Sequence, residues 1–412
     1  MRSGTKAVFL TLVAAVCLLA LALLGGIGGP GPVMETAAPG EEIGGIVGGA
    51  PMPEALPRPM PQAMPEAMPE PVILPADDGE AYHEVQLYYA TNRALANAPD
   101  PDRPTSRYTN AAGALSYGTA MVSIPRDHRK GHLETQGWLM SLVAAPDPEK
   151  HVILHRLDPL DRAALLALVK DDMAQTDDAV LLYVHGFNTP MDLAARRAGQ
   201  LTYDLDWTGP SFFFSWPSRG QTTAYTVDQT MAELSEGALL RLLTDLAELN
   251  AGRVVVIAHS MGTQILTQAM VRLHDRDPQV AERVTTIVLA APDIDAALFM
   301  AEVLPVFQAL PRTKVTLYAS SEDTALKASH AVNGFTRIGD TTRGVPVLAG
   351  IDVIDATGAE SDFFGHTYFG DNPTIVEDIF AMLRDGAPPA ARAGLRGVPD
   401  AGGPTWAIVA RP

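Results

Sequence analysis

A serine at position 260 has the sequence surroundings of a nucleophile. It lies in the pentapeptide AHSMG (258–262), directly after the apolar run VVVI. Such a β-branched run is typical of a buried parallel strand, and the apolar spacing after the pentapeptide predicts a helix. Ala258 and Gly262 are small, as a strained strand-to-helix turn requires, because larger side chains would collide with neighbouring elements. The pattern predicts that Ser260 is exposed to a substrate at a nucleophile elbow.

A nucleophilic serine needs a base and a carboxylate that orients the base. Asp323 follows a predicted strand at 314–319, and Asp293 follows a predicted strand at 285–291. The strand position favours Asp323, and Asp293 is the alternative acid, with a charge at a helix N-terminus as its other interpretation. Glu322 lies beside Asp323, so the sequence leaves open which of these two carboxylates faces the base.

His366 is the predicted base among the 10 histidines. It follows a last predicted strand at 345–356 and precedes a predicted helix at 373–383. In this role it would accept the proton from the serine and later deliver it to the leaving group. The competing histidines, which are less suitably placed along the chain, are His259, His274 and His330.

Two backbone NH groups are predicted to form an oxyanion hole. One belongs to Met261, directly after the serine, and the other to Phe187, in the segment HGFNTP that follows another predicted strand. Gly186 allows close approach of the backbone to a substrate because it has no Cβ. His185 and Asn188 are expected to brace this loop by hydrogen bonds.

Six separated motifs keep their order along the chain: YVHGFNTP, FFFSWPSRG, AHSMG, APDID, LYASSEDTAL and GHTYF. Together they resemble the α/β-hydrolase superfamily, in particular a bacterial esterase/lipase-like branch of largely unassigned substrate. The upstream segments LYYATNR and YGTAMVSIP resemble the N-terminal strands of that branch. The resemblance extends over residues 84–385 and implies Ser260, Asp323 and His366 as the triad. It also implies an α/β-hydrolase fold, with a mostly parallel central sheet and helices on both faces.

Composition narrows the possible partners. Lys and Arg number 30 against 48 Asp and Glu, and the net charge of −18 argues against binding nucleic acid through phosphate contacts. The sequence contains no Gly-rich phosphate loop, dinucleotide fingerprint or spaced His/Cys cluster. We therefore predict neither a cofactor nor a metal, and expect a small-molecule or lipid-like ester as the substrate.

Four regions are predicted along the chain. Residues 1–28 carry Arg2 and Lys6 before an uncharged stretch long enough to span a bilayer, as a signal anchor or a cleaved signal peptide. A Pro/Met-rich disordered linker follows at 29–79, then a catalytic domain at 80–386 and a flexible tail at 387–412. The positive residues predict a single-pass inner-membrane protein of bacteria whose catalytic domain faces the periplasm or exterior, with secretion as the alternative.

The expected activity is hydrolysis of a carboxylic ester through an acyl-enzyme on Ser260. An acyltransferase or thioesterase is the alternative enzyme, because forming an acyl-enzyme does not determine which nucleophile attacks next. A catalytically silent binding module on the same fold is an alternative of a different class.

Overall fold

One mixed sheet runs through the described part of this computed structural model, which comprises residues 81–100, 103–137, 145–176, 178–359, 368–398 and 405–409. Within these residues the sheet has 11 strands in the order β10-β11-β9-β8-β7-β6-β4-β5-β1-β2-β3. The strands are β1 (Tyr82–Leu95), β2 (Tyr108–Pro125), β3 (Ile153–Leu160), β4 (Ala179–Val184), β5 (Ser211–Ser215), β6 (Arg253–His259), β7 (Val284–Ala290), β8 (Lys314–Ala319), β9 (Ile351–Asp355), β10 (Leu395–Gly397) and β11 (Thr405–Ile408).

The helices follow the strands in alternation through the middle of the chain. They are α1 (Arg162–Gln175), α2 (Met191–Asp204), α3 (Tyr225–Glu248), α4 (Gly262–Arg276), α5 (Pro278–Ala281), α6 (Ala296–Leu298), α7 (Leu304–Ala309), α8 (Thr324–Asn333), α9 (Tyr368–Asp371) and α10 (Pro373–Asp385). A π-helical turn, Phe299–Val303, joins α6 to α7, and short 3-10 helices occupy Pro104–Arg107, Thr222–Ala224 and Pro389–Ala391.

The central strands pair in parallel with their neighbours, in the spatial order β1, β5, β4, β6, β7, β8, β9 and β11. Among the described strands, antiparallel pairing is confined to the two ends of the sheet, where β2 pairs with β1 and β3, and β10 pairs with β11. Because parallel strands end at the same edge, the segments that follow β4, β5, β6, β7 and β8 meet there.

Successive side chains along each strand point to opposite faces of the sheet, so they contribute to two hydrophobic cores, one on each face. In β4, Val180, Leu182 and Val184 contribute to one core, whereas the intervening residues contribute to the other. Side chains of α1, α3, α4 and α7 fill the first core, and those of α2 and α10 fill the second. A sheet covered on both faces explains why its strands are nearly continuous apolar runs. The predicted α/β architecture is confirmed.

The last strand before α10 is shorter than predicted. The sequence pattern indicated a strand at 345–356, but β9 begins only at Ile351. Gly344 and Gly350 have φ angles of 110° and 85°, a backbone conformation that an extended strand cannot contain. The apolar residues between them therefore belong to a loop.

The C-terminal segment differs from the flexible tail that was predicted at 387–412. In its described residues, β11 extends the sheet by pairing with β9, and β10 pairs with β11. Arg392 is buried with 3% exposure and donates to Asp378 Oδ2 at 3.1 Å, while its other terminal nitrogen lies 3.4 Å from Asp352. A buried ion pair and pairing with the edge of β9 order the described residues of this segment.

We expect Arg392→Met to lower the free energy of unfolding by about 3–5 kcal/mol, because it leaves the buried Asp378 carboxylate without its cation. Urea denaturation measures this loss. Arg396→Met is the matched control, since Arg396 lies in the same segment but is exposed, and it should change stability by less than about 0.5 kcal/mol. Equal effects of the two substitutions would show that the ion pair does not hold the segment.

A buried histidine connects the turn after β2 to the end of α2. His128 lies 2.8 Å from Glu134 through Nδ1 and 2.8 Å from Asp204 through Nε2. Burial alone would lower the pKa of His128, but the hydrogen bonds and charges of Asp204 and Glu134 outweigh it and raise the pKa to about 9. The folded protein therefore retains a proton that the unfolded chain releases near pH 6.5.

This difference predicts that stability falls as the pH rises from about 6.5 to 9. The contribution of His128 is complete below the unfolded-state pKa and is lost as the pH passes the folded-state pKa, with a slope of at most about 1.4 kcal/mol per pH unit. Urea denaturation across this range should show a steeper decline for the wild type than for His128→Gln. The exposed His132 gives the control, because His132→Gln should retain the wild-type slope.

Candidate active site

Ser260 occupies a strained turn between β6 and α4. Its φ angle is +52°, which is uncommon for a residue with a side chain, and its side chain is buried with 2% exposure. The Ser260 NH donates to the carbonyl of Ala290 at 2.9 Å, and the Ser260 carbonyl accepts from the NH and the hydroxyl of Thr263. These bonds hold a conformation that costs about 1–3 kcal/mol in isolation.

Two glycines allow this turn to lie against the loop that follows β4. A Cβ at Gly262 would lie 2.3 Å from the His185 carbonyl oxygen, and one at Gly186 would lie 2.7 Å from Ser260 Cβ. Either contact is far inside van der Waals distance. The small residues predicted around the serine therefore have a steric reason, and Gly186 brings the next peptide beside the serine.

The peptide between Gly186 and Phe187 is held in one orientation. His185 Nδ1 lies 2.9 Å from the Gly186 carbonyl oxygen, and since a carbonyl only accepts, Nδ1 carries the proton. In a trans peptide the C=O and NH groups point in opposite directions, so this bond also fixes the direction of the Phe187 NH. The hydroxyl of Thr189 donates to the next carbonyl, that of Phe187, at 3.1 Å.

The His185 ring is neutral and tightly packed. It stacks on Trp216 with the ring centroids 5.0 Å apart and an angle of 12° between the planes, and the Trp216 indole NH donates to the His185 carbonyl at 2.7 Å. Burial, reinforced by the charge of Arg93, lowers the pKa of His185 to about 3. His185 therefore braces the loop as an uncharged hydrogen-bond donor throughout the neutral pH range.

Met261 follows the serine and precedes the first residue of α4. NH groups at the start of a helix have no acceptor within the helix, and the helix dipole makes this end favourable for negative charge. Met261 and Phe187 thus both adjoin Ser260, one along the chain and the other through the close approach of Gly186. This arrangement suits two main-chain donors that face a developing oxyanion.

Asp323 lies at the carboxyl end of β8 and is fully buried, whereas its neighbour Glu322 is exposed. One oxygen of Asp323 accepts the NH of Leu326 at 2.9 Å and so caps α8, and Glu322 accepts the NH of Gly358 at 3.2 Å. Of the two adjacent carboxylates, Asp323 is therefore the one that points into the protein.

The alternative acid, Asp293, is part of a different network. It is buried with 2% exposure; Oδ2 accepts from the hydroxyl of Tyr225 at 2.7 Å, and Oδ1 accepts from that of Ser329 at 2.5 Å. The Nε of the buried Arg337 lies 3.2 Å from Oδ1. Burial, with the charge of Asp293, raises the pKa of Tyr225. Both oxygens of Asp293 are thus engaged by groups that hold α3 and α8 together.

The predicted base, His366, lies outside the described residues. On its N-terminal side, the Ala356 NH donates to the Ala319 carbonyl at 2.7 Å, which sets the end of β9 beside the end of β8. On its C-terminal side, the Gly370 carbonyl accepts from Arg197 Nη1 at 3.1 Å, which fixes that residue to α2. Of the competing histidines, His259 is the last residue of β6, whereas His274 lies within α4 and His330 lies within α8.

Two charged residues that contact the loops near the site are not among the site residues predicted from the sequence. Arg93, in β1, and Asp228, in the first turn of α3, are both buried and bind the loops that follow β4 and β5. The one sequence signal for Arg93 was a cation directly after the strand-like segment LYYATN. Within the described residues, no group of three or more His, Cys, Asp or Glu side chains is arranged to hold a metal ion.

The steric role of Gly262 can be tested by adding one methyl group. We expect Gly262→Ala to displace the elbow from the loop after β4, which would lower kcat for an ester substrate about 100-fold or more and destabilise the fold. Gly237→Ala is the control, because nothing lies within 4 Å of a Cβ at this exposed position in α3. That control should retain activity and gain about 0.5–1 kcal/mol of stability. A fully active Gly262→Ala enzyme would contradict the close-packing argument.

Comparisons with solved structures return α/β hydrolases at low similarity. An α/β-superfamily hydrolase from Xanthomonas campestris pv. campestris is 14% identical, with a TM-score of 0.28, over 50% of this chain and 99% of that one. Phospholipase PlaB from Legionella pneumophila, in complex with thio-NAD, is 12% identical, with a TM-score of 0.30, over 57% and 68% of the respective chains. An esterase from Pyrococcus furiosus is 12% identical, with a TM-score of 0.25, over 47% and 75%. No curated protein matches the chain.

The chain also matches the model of one protein family. Residues 161–384, more than half of the chain, match the model described as an α/β hydrolase of unknown function, DUF900. The match includes Ser260, both candidate acids and His366, as well as every strand from β4 to β9. The chain belongs to the DUF900 family of α/β hydrolases.

Proposed function

We propose that this protein is a serine hydrolase that cleaves carboxylic esters through an acyl-enzyme on Ser260. The observation that carries the proposal is the conformation of Ser260, a left-handed residue at the end of β6 with the Gly186 backbone packed against it. Backbone strain of this kind is concentrated at functional sites.

In the proposed reaction, Ser260 Oγ attacks the ester carbonyl while His366 accepts the hydroxyl proton. The resulting oxyanion binds the NH groups of Met261 and Phe187. When the tetrahedral intermediate collapses, the C–O bond breaks, and His366 delivers its proton to the departing alcohol. Water, deprotonated by His366, then attacks the acyl-enzyme and releases the carboxylic acid and the free Ser260 hydroxyl.

We assign the orienting carboxylate to Asp323 rather than Asp293. The assignment is supported by the complete burial of Asp323 at the end of β8 and by the exposure of Glu322. Asp293 is an unsuitable partner for a histidine because Tyr225, Ser329 and Arg337 already occupy its two oxygens.

Labelling with a fluorophosphonate tests the nucleophile. We expect the wild type to become labelled and to hydrolyse p-nitrophenyl esters, and Ser260→Ala to do neither while retaining the wild-type melting temperature. Labelling of Ser260→Ala at the wild-type rate would place the nucleophile elsewhere. A wild type that is neither labelled nor active would favour a silent binding module.

Matched substitutions at the two acids test the assignment. Asp323→Asn should lower kcat by about 10³–10⁴-fold with little loss of stability, because an asparagine still caps α8 but cannot hold a protonated imidazole. Asp293→Asn should instead destabilise the protein by about 3 kcal/mol, since it removes the charge partner of buried Arg337. Steady-state kinetics and urea denaturation separate the two effects. The reverse pattern would make Asp293 the catalytic acid.

The second nucleophile distinguishes hydrolysis from acyl transfer. In our proposal it is water, so an added alcohol should leave the free acid as the main product. Predominant formation of a new ester would indicate an acyltransferase, and a preference for thioesters would indicate a thioesterase.

For the rest of the chain we propose an inner-membrane anchor at 1–28 and a proline-rich tether at 29–79, with the catalytic domain on the periplasmic or exterior side. The support is the apolar stretch after Arg2 and Lys6 and the repeated Met-Pro units. Both regions lie outside the described residues. Within the described residues, no helix combines the length and the apolar character that crossing a bilayer requires.

A further inference from the structure

A buried arginine joins the loops that follow β4 and β5. Arg93, in β1, is 1% exposed and donates through Nη2 to the Thr189 carbonyl at 2.9 Å and through Nη1 to the Ser218 carbonyl at 3.1 Å. It also donates through Nε to the Ser215 hydroxyl at 2.9 Å and through Nη1 to Asn110 Oδ1 at 2.6 Å. Thr189 belongs to the loop after β4, and Ser218 belongs to the loop after β5.

A buried carboxylate holds the same two loops from the other side. Asp228 is fully buried in α3 and accepts from the Ser218 hydroxyl at 2.6 Å and from the Arg219 NH at 2.8 Å. The NH of Asn188, a residue with a φ of +57°, lies 3.4 Å from the same carboxylate. The opposite charges of Arg93 and Asp228 are thus linked through Ser218, which binds both.

The loop residue that receives these contacts is Thr189. Its NH donates to the Ser218 hydroxyl at 3.0 Å, its carbonyl accepts from Arg93, and its own hydroxyl donates to the Phe187 carbonyl. Both backbone groups of Thr189 are therefore held, and Thr189 in turn holds the carbonyl of Phe187, whose NH is the proposed second donor to the oxyanion. The His185 bond to Gly186 fixes the preceding peptide.

The burial of Arg93 is difficult to explain by stability alone. Its described hydrogen bonds go to neutral acceptors, and burial lowers the pKa of Arg93 to about 10 despite the opposing charge of Asp228. Taking a guanidinium out of water is costly, and apolar side chains often replace buried ions without loss of stability. A rigid fork of donors does, however, hold several backbone groups in one geometry, which is what a preorganised site needs.

We propose that Arg93 and Asp228 form a charge clamp that positions the Phe187 NH for the oxyanion, acting through Ser218 and Thr189. Both are positioning residues, since neither contacts the reacting atoms in this proposal. The inference rests on the proposed function, because the oxyanion is that of the ester reaction at Ser260. It predicts that loosening the clamp weakens binding of the transition state more than binding of the substrate.

Arg93→Met and Ser218→Ala test the clamp, and Arg392→Met is the matched control, a buried arginine in the C-terminal segment. We expect Arg93→Met to lower kcat for a p-nitrophenyl ester about 10–100-fold while KM changes less than about 3-fold. Ser218→Ala, the smaller change, should lower kcat about 10-fold. Arg93→Lys should give an intermediate kcat because an ammonium cannot reproduce the fork. Arg392→Met should retain the wild-type kcat despite its lower stability.

Hydrogen exchange gives a readout that does not depend on activity. Backbone amides of residues 185–189 should exchange about 10-fold faster in Arg93→Met and Ser218→Ala than in the wild type, with no such change in Arg392→Met. Unchanged exchange, or a loss of stability with wild-type kcat, would overturn the clamp. A wild type that fluorophosphonate does not label would overturn the proposed function and the catalytic purpose of the clamp, while the exchange rates would still decide whether Arg93 orders the loop.

Discussion

The contact between the Ser260 elbow and the backbone that follows β4 is the constraint on which the site depends. Gly262 and Gly186 are the residues that make it possible, since a Cβ at either would lie within 3 Å of atoms across the contact. Because the elbow follows β6 and the loop follows β4, and these strands are neighbours in the sheet, the sheet itself sets the distance between Ser260 and the backbone of that loop. Local strain at Ser260 is thereby offset by the rigidity of the parallel sheet.

Buried charges around the site fall into two groups with different consequences. Asp293 pairs directly with Arg337 and connects α3 to α8 through Tyr225 and Ser329, which makes this pair part of the scaffold. Arg93 and Asp228 instead direct their hydrogen bonds to loop backbone and hydroxyl groups. A direct ion pair mainly holds two elements together. A buried charge that forms hydrogen bonds with several neutral groups mainly fixes the positions of those groups relative to one another.

The structure extends beyond the region shared with the family. Strands β1 to β3 precede the match at 161–384, and β10 and β11 follow it, yet all of them belong to the same sheet. The segment before the match supplies Arg93 to the loops that follow β4 and β5, and the segment after it pairs with β9 and contains the buried Arg392. In this chain, therefore, the organisation of the site draws on residues outside the matched region.

The sequence by itself determined the elements whose signals are local. The apolar runs before Ser260 and Asp323 predicted β6 and β8, and helical spacing predicted α4, because burial against neighbouring elements leaves a periodic pattern in the sequence. Tertiary structure decided what depends on distant partners. Only the packing of α3 and α8 showed that Asp293 is already engaged by Tyr225 and Ser329, and only pairing with β9 showed that part of the predicted flexible tail forms strands. The proposed role of Arg93 could likewise not be predicted from the residues around it in the sequence, because its acceptors lie on loops that only the fold brings together.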